Sequence, residues 1–253
     1  MTKLQLKHPT KVPQINQGFG DKTDPTMLPK YQALGMKGHN GLDYNAPEGT
    51  PVLASHDGTI VYAGLDGSNG NLIVIKTDSQ FDYLEGQSFF KTLYGHLETG
   101  SFKVTAGTKV KVGQVIALSG NTGMSFGAHL HFGLKPVIQG EDEWTWFNLE
   151  QNNGYNGAID PTPYLPPVKE FNLPIKYGDT SHDVEKLQAF LIRHKYLTIP
   201  EGVALGYYGS ITADAVYKFQ IDNGLLNILE KRLLKGKGSR VGTKTINKLN
   251  EIY

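Results

Sequence analysis

Four prolines in eight residues, Asp160-Pro161-Thr162-Pro163-Tyr164-Leu165-Pro166-Pro167, divide this chain. Each proline lacks a backbone N–H and fixes its own φ, so such a run can neither continue a helix nor sit inside a sheet. It reads as a domain-ending arm or semi-rigid linker. Before it the hydrophobic period is two, and after it the period is about 3.6. The expected fold class is therefore multidomain: a mainly antiparallel β domain over 1–165, a Pro-rich linker over 166–174 and a small all-α three-helix domain over 175–253. A length of 253 residues accommodates that division.

Between about residues 50 and 135, β-branched or aromatic runs follow one another closely. Thr59-Ile60-Val61-Tyr62, Leu72-Ile73-Val74-Ile75, Thr92-Leu93-Tyr94 and Val115-Ile116-Ala117-Leu118 are separated by turns at Asp57-Gly58, Asp66-Gly67, Asn69-Gly70 and Ser119-Gly120. They predict an antiparallel sheet or sandwich. Residues 106–115 predict a tight strand-turn-strand that helps to fold the sheet over itself. Residues 1–38, with Pro9, Pro13, Pro25, Pro29 and Gly18-Phe19-Gly20, show little helical periodicity and read as an extended lead-in with loops. Residues 141–160 read as a polar loop, in which Trp144 and Trp146 could instead line a substrate rim.

Beyond the linker, Gly178-Asp179-Thr180-Ser181 offers N-caps to a helix whose apolar face is Val184, Leu187, Phe190 and Leu191. A second helix is expected to open at Thr212, bury Ala215, Val216 and Phe219, and stop near Gly224. A third is expected to open at Thr245 and bury Ile246, Leu249 and Ile252. Gly209-Ser210-Ile211-Thr212 and Gly242-Thr243-Lys244-Thr245 form a faint internal repeat, with each threonine where an N-cap belongs. Between the last two helices, Leu225 to Gly238 alternates leucines with Lys231, Arg232, Lys235 and Lys237. That stretch suits either a basic, partner-facing insert or a short amphipathic helix packed on the domain.

Composition narrows the chemistry. There is no cysteine, so disulfides, thiolate metal sites and cysteine nucleophiles are excluded, and a transition-metal site must be built from His, Asp and Glu. Hydrophobic content of 39% and charged content of 19% describe an ordinary globular chain, with no apolar stretch long enough for a membrane span. A net charge of +1 gives no reason to expect nucleic acid as a partner. The charge is uneven, −3 over 1–167 and +4 over 168–253. A mildly basic C-terminal module suits an anionic surface, or serves solubility alone. Met1-Thr2-Lys3-Leu4-Gln5-Leu6-Lys7 lacks the apolar run of a secretory leader.

The chemistry gathers around Gly127-Ala128-His129-Leu130-His131-Phe132-Gly133. On a strand, His129 and His131 point to one face and Leu130 to the other. Two imidazoles on a rigid strand suit a zinc ion, and they also suit a half-solvated strand face. A catalytic zinc takes three protein ligands, so this strand can supply one or two of them. Gly38-His39-Asn40-Gly41-Leu42-Asp43-Tyr44 offers two more candidates, because positions i and i+4 of an extended segment share a face. His96, in Leu93-Tyr94-Gly95-His96-Leu97, is a further candidate at a strand end.

In this order and at these separations, His39-x-x-x-Asp43, Tyr94-Gly95-His96-Leu97 and the His129-Leu130-His131 strand resemble the lysostaphin-type (LytM-type) zinc metallopeptidases. Gln17-Gly18-Phe19-Gly20, Ala46-Pro47-Glu48-Gly49-Thr50-Pro51-Val52 and Asp57-Gly58-Thr59-Ile60-Val61 are similar to that family's framework. The resemblance covers about residues 14–135. It implies one zinc ion held by His39, Asp43 and His131, catalytic roles for His96 and His129, and hydrolysis of peptide bonds in the stems or cross-bridges of bacterial peptidoglycan. Relatives that have lost activity typically replace these residues, and all five are present. Residues 174–253 separately resemble the three-helix peptidoglycan-binding domain of wall hydrolases. That likeness rests on Gly178-Asp179-Thr180-Ser181-x-Asp183-Val184-x-x-Leu187-Gln188, on the run from Gly206 to Gln220, and on Gly242-x-x-Thr245-x-x-x-Leu249-Asn250. The insert at 225–238 is longer than that pattern usually allows.

With the implied ligands, two imidazoles and one carboxylate, zinc keeps a net positive charge, acidifies a water and polarises a carbonyl. No His-Glu-x-x-His motif provides a glutamate base, so the proton must go to a histidine. His129 is the candidate general base, with His96 opposite it to stabilise the oxyanion or protonate the leaving amine; which of the two does which stays open. The expectation is a monomeric cell-wall lytic endopeptidase acting outside the cytoplasm, either a phage-type endolysin released by membrane permeabilisation or an enzyme trimmed of its leader. The alternative is a non-catalytic peptidoglycan-binding adaptor or amidase activator, which predicts a broken ligand set.

Overall fold

A computed structural model describes residues 2–23, 25–140, 145–168, 171, 174–200, 202–230 and 240–252. The chain divides into two compact units, Met1–Val168 and Lys169–Tyr253. The division falls just inside the stretch 166–174 expected as a linker.

The first unit is built on a nine-stranded sheet. Its strands run in the order β1 (Ile15–Gln17), β2 (Leu42–Tyr44), β10 (Leu130–Gln139), β7 (Gly86–Leu97), β5 (Gly70–Thr77), β4 (Gly58–Asp66) and β8 (Lys109–Val110). Two further strands flank this path: β6 (Phe81–Tyr83) pairs with β7, and β11 (Trp146–Asn148) pairs with β10. A small second sheet joins β3 (Pro51–Leu53) to β9 (Val115–Leu118), and all the pairings are antiparallel. The sequence dictates the faces by simple alternation. In β7, Ser88, Phe90, Thr92 and Tyr94 are buried, whereas Phe89, Lys91 and Leu93 between them are partly exposed. Phe132 stacks edge-on against Tyr94 at 5.4 Å and against Tyr44 at 6.2 Å, so the core lies directly beneath the strands that carry the histidines. A buried polar chain is threaded through it: His56 Nε2 meets Thr92 Oγ1 at 2.9 Å, Thr92 donates to Tyr94 Oη at 3.0 Å, and Ser55 N donates to the same oxygen at 2.8 Å.

Two expectations for this unit need correction. The lead-in is not wholly extended: α1 (Leu28–Ala33) has Pro29 in its first turn, where the missing N–H costs nothing. Residues 106–115 do run from strand through turn into strand, with β8 joining the large sheet and β9 the small one, so the chain passes between the two sheets there. Trp146 does not rim the cleft. It lies on β11 opposite Gln139, at the far end of β10 from His131, with its ring against Phe89 at 5.2 Å. Trp144 lies outside the described residues.

In the second unit, α2 (His182–Arg193), α3 (Ser210–Asp222) and α4 (Thr243–Ile252) accompany a short ladder of β12 (Ile175–Lys176) and β13 (Arg240–Val241). Ser181 caps α2 by accepting from Val184 N at 3.3 Å, and Val184, Leu187, Phe190 and Leu191 are buried. Thr212 and Thr245 are not caps, however. Both sit inside their helices, two residues past the first, and α3 takes Gly209 as its N-cap. The repeat has a different job: Gln188 Nε2 donates to Thr212 Oγ1 at 2.8 Å, and Gln220 Nε2 donates to Thr245 Oγ1 at 2.9 Å. Each threonine thus ties its helix to the glutamine of the preceding one. Of the basic stretch at 225–238, residues 231–238 lie outside the described residues, while Ile228 and Leu229 are exposed.

Candidate metal centre

Strand register brings the predicted residues together. Asp43 on β2 and His131 on β10 are direct cross-strand partners. On its other side His131 faces Gly95 of β7, which has no side chain to compete for the space. His96 follows in a β-bulge, where Gly95 and His96 together oppose the single residue Leu72, and it adopts φ 59°. A bulge with one residue in the left-handed region turns a side chain out of the alternation, and histidine is among the residues that tolerate it. His39 arrives from a loop pinned to the Gly18-Phe19-Gly20 segment: Gly20 N donates to His39 O at 2.7 Å, and His39 N donates to Asp21 O at 3.0 Å.

Three donor atoms form a nearly equilateral triangle. His39 Nε2 is 3.0 Å from His131 Nδ1, His131 Nδ1 is 3.0 Å from Asp43 Oδ1, and Asp43 Oδ1 is 3.1 Å from His39 Nε2. Zinc held tetrahedrally at roughly 2.0–2.1 Å spaces its ligand atoms roughly 3.3 Å apart, so the triangle fits such an ion. Lone pairs at this spacing repel one another unless a proton or a cation lies between them, and His39, Asp43 and His131 make up a group able to hold a metal ion. Burial by itself would raise the Asp43 pKa, but hydrogen bonds from His131 and His39 outweigh it and hold the carboxyl well below the usual carboxylate range. Burial opposes charging of His39 as well, yet the Asp43 hydrogen bond and charge carry its pKa above the ordinary value. His131, more deeply enclosed, is pushed down by burial.

The ring orientations follow from main-chain carbonyls. Nδ1–H of His39 donates to Gly18 O at 3.0 Å, that of His96 to Thr122 O at 2.7 Å, and that of His129 to Gly127 O at 2.7 Å. In the neutral form of each of these rings, the form that could hold a metal ion or take up a proton, Nε2 is therefore the bare nitrogen. His131 alone turns Nδ1 inward. His129 Nε2 lies 3.6 Å from Asp43 Oδ2, the oxygen outside the triangle, and its ring centroid is 4.6 Å from that of His96. Burial pushes the His96 pKa down to about 4, so its imidazole is neutral at pH 7. All five groups line one cleft of about 610 Å³.

Residues 37–143 match peptidase family M23, and residues 180–226 match the family described as "Putative peptidoglycan binding domain". The chain carries an M23 peptidase domain. All five residues of the centre fall within that domain. It is 42% identical over 94 residues to the DD-carboxypeptidase/endopeptidase Mpg of Neisseria meningitidis serogroup B, a match covering 37% of this chain and 19% of that protein. Glycyl-glycine endopeptidase ALE-1 of Staphylococcus capitis is 34% identical over 134 residues, covering 52% and 31%. The chain thus spans a fifth to a third of the length of these relatives. Among solved structures, the catalytic domain of the antimicrobial peptidase lysostaphin from Staphylococcus simulans is 28% identical with a TM-score of 0.43, covering 60% of this chain and 91% of that one. M23 peptidases are zinc-dependent, and the donor triangle of this M23 domain suits that metal.

Sequence reasoning missed several participants. The carbonyls of Gly18, Thr122 and Gly127 orient the rings, and no sequence pattern marks a carbonyl. Thr122 is itself fixed, since its hydroxyl donates to Leu97 O at 2.8 Å and accepts from Asn71 N at 2.9 Å. Lys30 and Tyr31 of α1 also line the cleft of the M23 domain, and Lys30 Nζ sits 3.5 Å over the Phe126 ring. Glycine before Leu42 has a steric reason: a Cβ on Gly41 would lie 2.7 Å from His131 Cε1 and 2.6 Å from Phe132 O.

Proposed function

We propose that this protein is a zinc-dependent endopeptidase that hydrolyses peptide bonds in the stems or cross-bridges of bacterial peptidoglycan. His39 Nε2, Asp43 Oδ1 and His131 Nδ1 hold the ion in this reading, and His96 and His129 move the protons. The observation that carries it is the triangle of donor atoms with two bare imidazole nitrogens beside it in one cleft. A zinc ion bound there supplies Lewis acidity toward a scissile carbonyl and lowers the pKa of an attacking water.

The remaining work belongs to side chains. His129 Nε2, oriented by the Gly127 carbonyl and 3.6 Å from Asp43 Oδ2, accepts the proton of the attacking water. That same proton then passes to the leaving nitrogen, either from His129 itself or relayed through the bare Nε2 of His96, which burial leaves neutral at pH 7 and quick to release a proton it receives. The intact set of five argues against a non-catalytic adaptor.

The reading assigns the peptidase to 1–165, a linker to 166–174 and wall binding to 175–253. It takes the chain as a monomer acting on the wall outside the cytoplasm, whether as a phage-type lysin or as an exported enzyme. Among the described residues no helix is long and apolar enough to cross a membrane. The test is release of soluble peptides from purified sacculi of several wall types, read by mass spectrometry. Release is expected from at least one type, abolished by a chelator and restored by zinc, while chelated protein still sediments with sacculi. Release that is indifferent to the chelator would overturn the assignment.

A further inference from the structure

The sheet face that carries His131 holds a second feature four residues further along β10. Lys135 stands opposite Lys91 on β7, and Lys91 stands opposite Lys76 on β5, so three lysines form one row across the central strands. Alternation puts that row on the His131 face, with Gly133, Leu93 and Val74 between. Ile75, Thr92 and Leu134 on the other face are fully buried, while the three lysines are half-buried. Lys135, Leu93 and Gly133 line the same cleft as the histidines of the metal centre.

Like charges directly opposite each other across an antiparallel pair destabilise a sheet, and here the arrangement occurs twice in succession. Among the described residues none of the three lysines forms an ion pair. The carboxylates that act on them are engaged elsewhere, Asp78 by Lys109 at 2.7 Å and Asp66 by Asn69 at 2.5 Å. Lys76 Nζ donates to Thr77 O at 2.7 Å and lies 4.4 Å from the centroids of both Phe89 and Trp146. Burial first, and then the neighbouring ammoniums of Lys135 and Lys76, push the Lys91 pKa down. An incoming anion would relieve the repulsion and supply the ion-pair partner that none of the described residues provides.

We propose that Lys135, Lys91 and Lys76 form an anion track that starts in the cleft at Lys135 and runs out of it across the same sheet face, taking the carboxylates of a peptide substrate on one side of its scissile bond. This rests on the peptidase reading and adds a substrate preference to it. Four residues along a strand span about 13 Å, a distance that an extended peptide covers in about four residues. The track therefore selects substrates with a free carboxylate three to four residues from the amide presented to the metal centre. A separate polyanion fits less well: Lys135 belongs to the cleft itself, so what lies on it is continuous with the chain being cut.

The probes are a cross-linked muropeptide dimer with free carboxylates and the same dimer with those groups converted to carboxamides. The unmodified protein is expected to favour the free carboxylates in kcat/KM by about fivefold, the worth of one partly screened ion pair. The preference should lie mainly in KM and shrink with added salt. Lys135→Gln and Lys91→Gln should each bring the ratio towards one. Each also removes a like-charge contact, so a Tm at or above that of the unmodified protein shows that the variant is folded. A ratio of one in the unmodified protein, or a ratio kept in both variants, overturns the track. Failure to cut either dimer, together with no release from sacculi of any wall type, overturns the peptidase reading instead; whenever neither dimer is cut, equilibrium binding of the two dimers decides the track, and equal affinities defeat it. Binding of poly(glycerol phosphate) that both substitutions abolish, without any carboxylate preference, also defeats it by assigning the row to a phosphodiester polymer.

Discussion

His131 meets Asp43 and His39 through Nδ1, whereas His129 turns its Nδ1 away to the Gly127 carbonyl and presents Nε2 to the far oxygen of the same carboxylate. One intervening leucine thus separates two different chemical positions. His131→Ala and Asp43→Ala are expected to lose zinc. His129→Ala is expected to keep zinc and lose most turnover, commonly about 10²–10⁴-fold for a general base. Metal analysis alongside the sacculus assay checks this, and full zinc occupancy in Asp43→Ala would remove that residue from the ligand set. Gly41→Ala tests the packing behind the ligand. Its methyl would press on the His131 ring and on a main-chain carbonyl that cannot move aside, so zinc affinity is expected to fall about 10–100-fold, as when a ligand's supporting contacts are altered. Competition with a calibrated chelator measures it, and unchanged affinity would show that the ring tolerates the displacement.

At the scale of elements, the centre depends on three neighbouring strands and one bulge. β2, β10 and β7 set Asp43 beside His131 and Gly95 by register, and the bulge then turns His96 into the cleft. A one-residue slip of any of these strands would send its side chains to the opposite face. In the helical unit, the two glutamines hold the elements in place. Gln188 donates to Tyr207 O at 2.9 Å and to Thr212 Oγ1 at 2.8 Å, and accepts from Gly206 N at 2.7 Å. Gln188→Met keeps the volume but strands those buried partners, so a loss of about 1–3 kcal/mol is expected. Urea unfolding of the second unit's transition measures it, and a change below about 0.5 kcal/mol, the range of ordinary surface substitutions, would contradict the assigned role.

At the scale of the whole molecule, the structure buries histidines outside the centre, and this sets a pH dependence. Burial pushes His56 and His8 below their ordinary value, against the opposing effect of the hydrogen bonds these rings donate to the Asp57 and Pro166 carbonyls. A histidine whose folded pKa is depressed binds its proton more readily when unfolded. Its contribution is therefore complete above the unfolded value of about 6.5 and is lost as pH falls below it. His96 acts in the same sense, and His39, whose pKa is raised, acts in the opposite one. Unfolding free energy is expected to fall between about pH 7 and pH 5, and His56→Gln should flatten that slope. Denaturant titrations across that range give the answer, and an unchanged slope in the variant would exclude His56 as a source. Much of this molecule could be read directly from its residues. Alternation gave the strands, the 3.6 period gave the buried faces of α2 and α3, and His39, Asp43, His96, His129 and His131 stood out by type and spacing. Those signals are local, so they survive in one dimension. Tertiary structure alone decided the inward-facing nitrogen of each ring, the left-handed turn at His96, the threonine partners of Gln188 and Gln220, and the alignment of three lysines. Each depends on which carbonyl or strand lies opposite, and that is fixed by register between segments tens of residues apart.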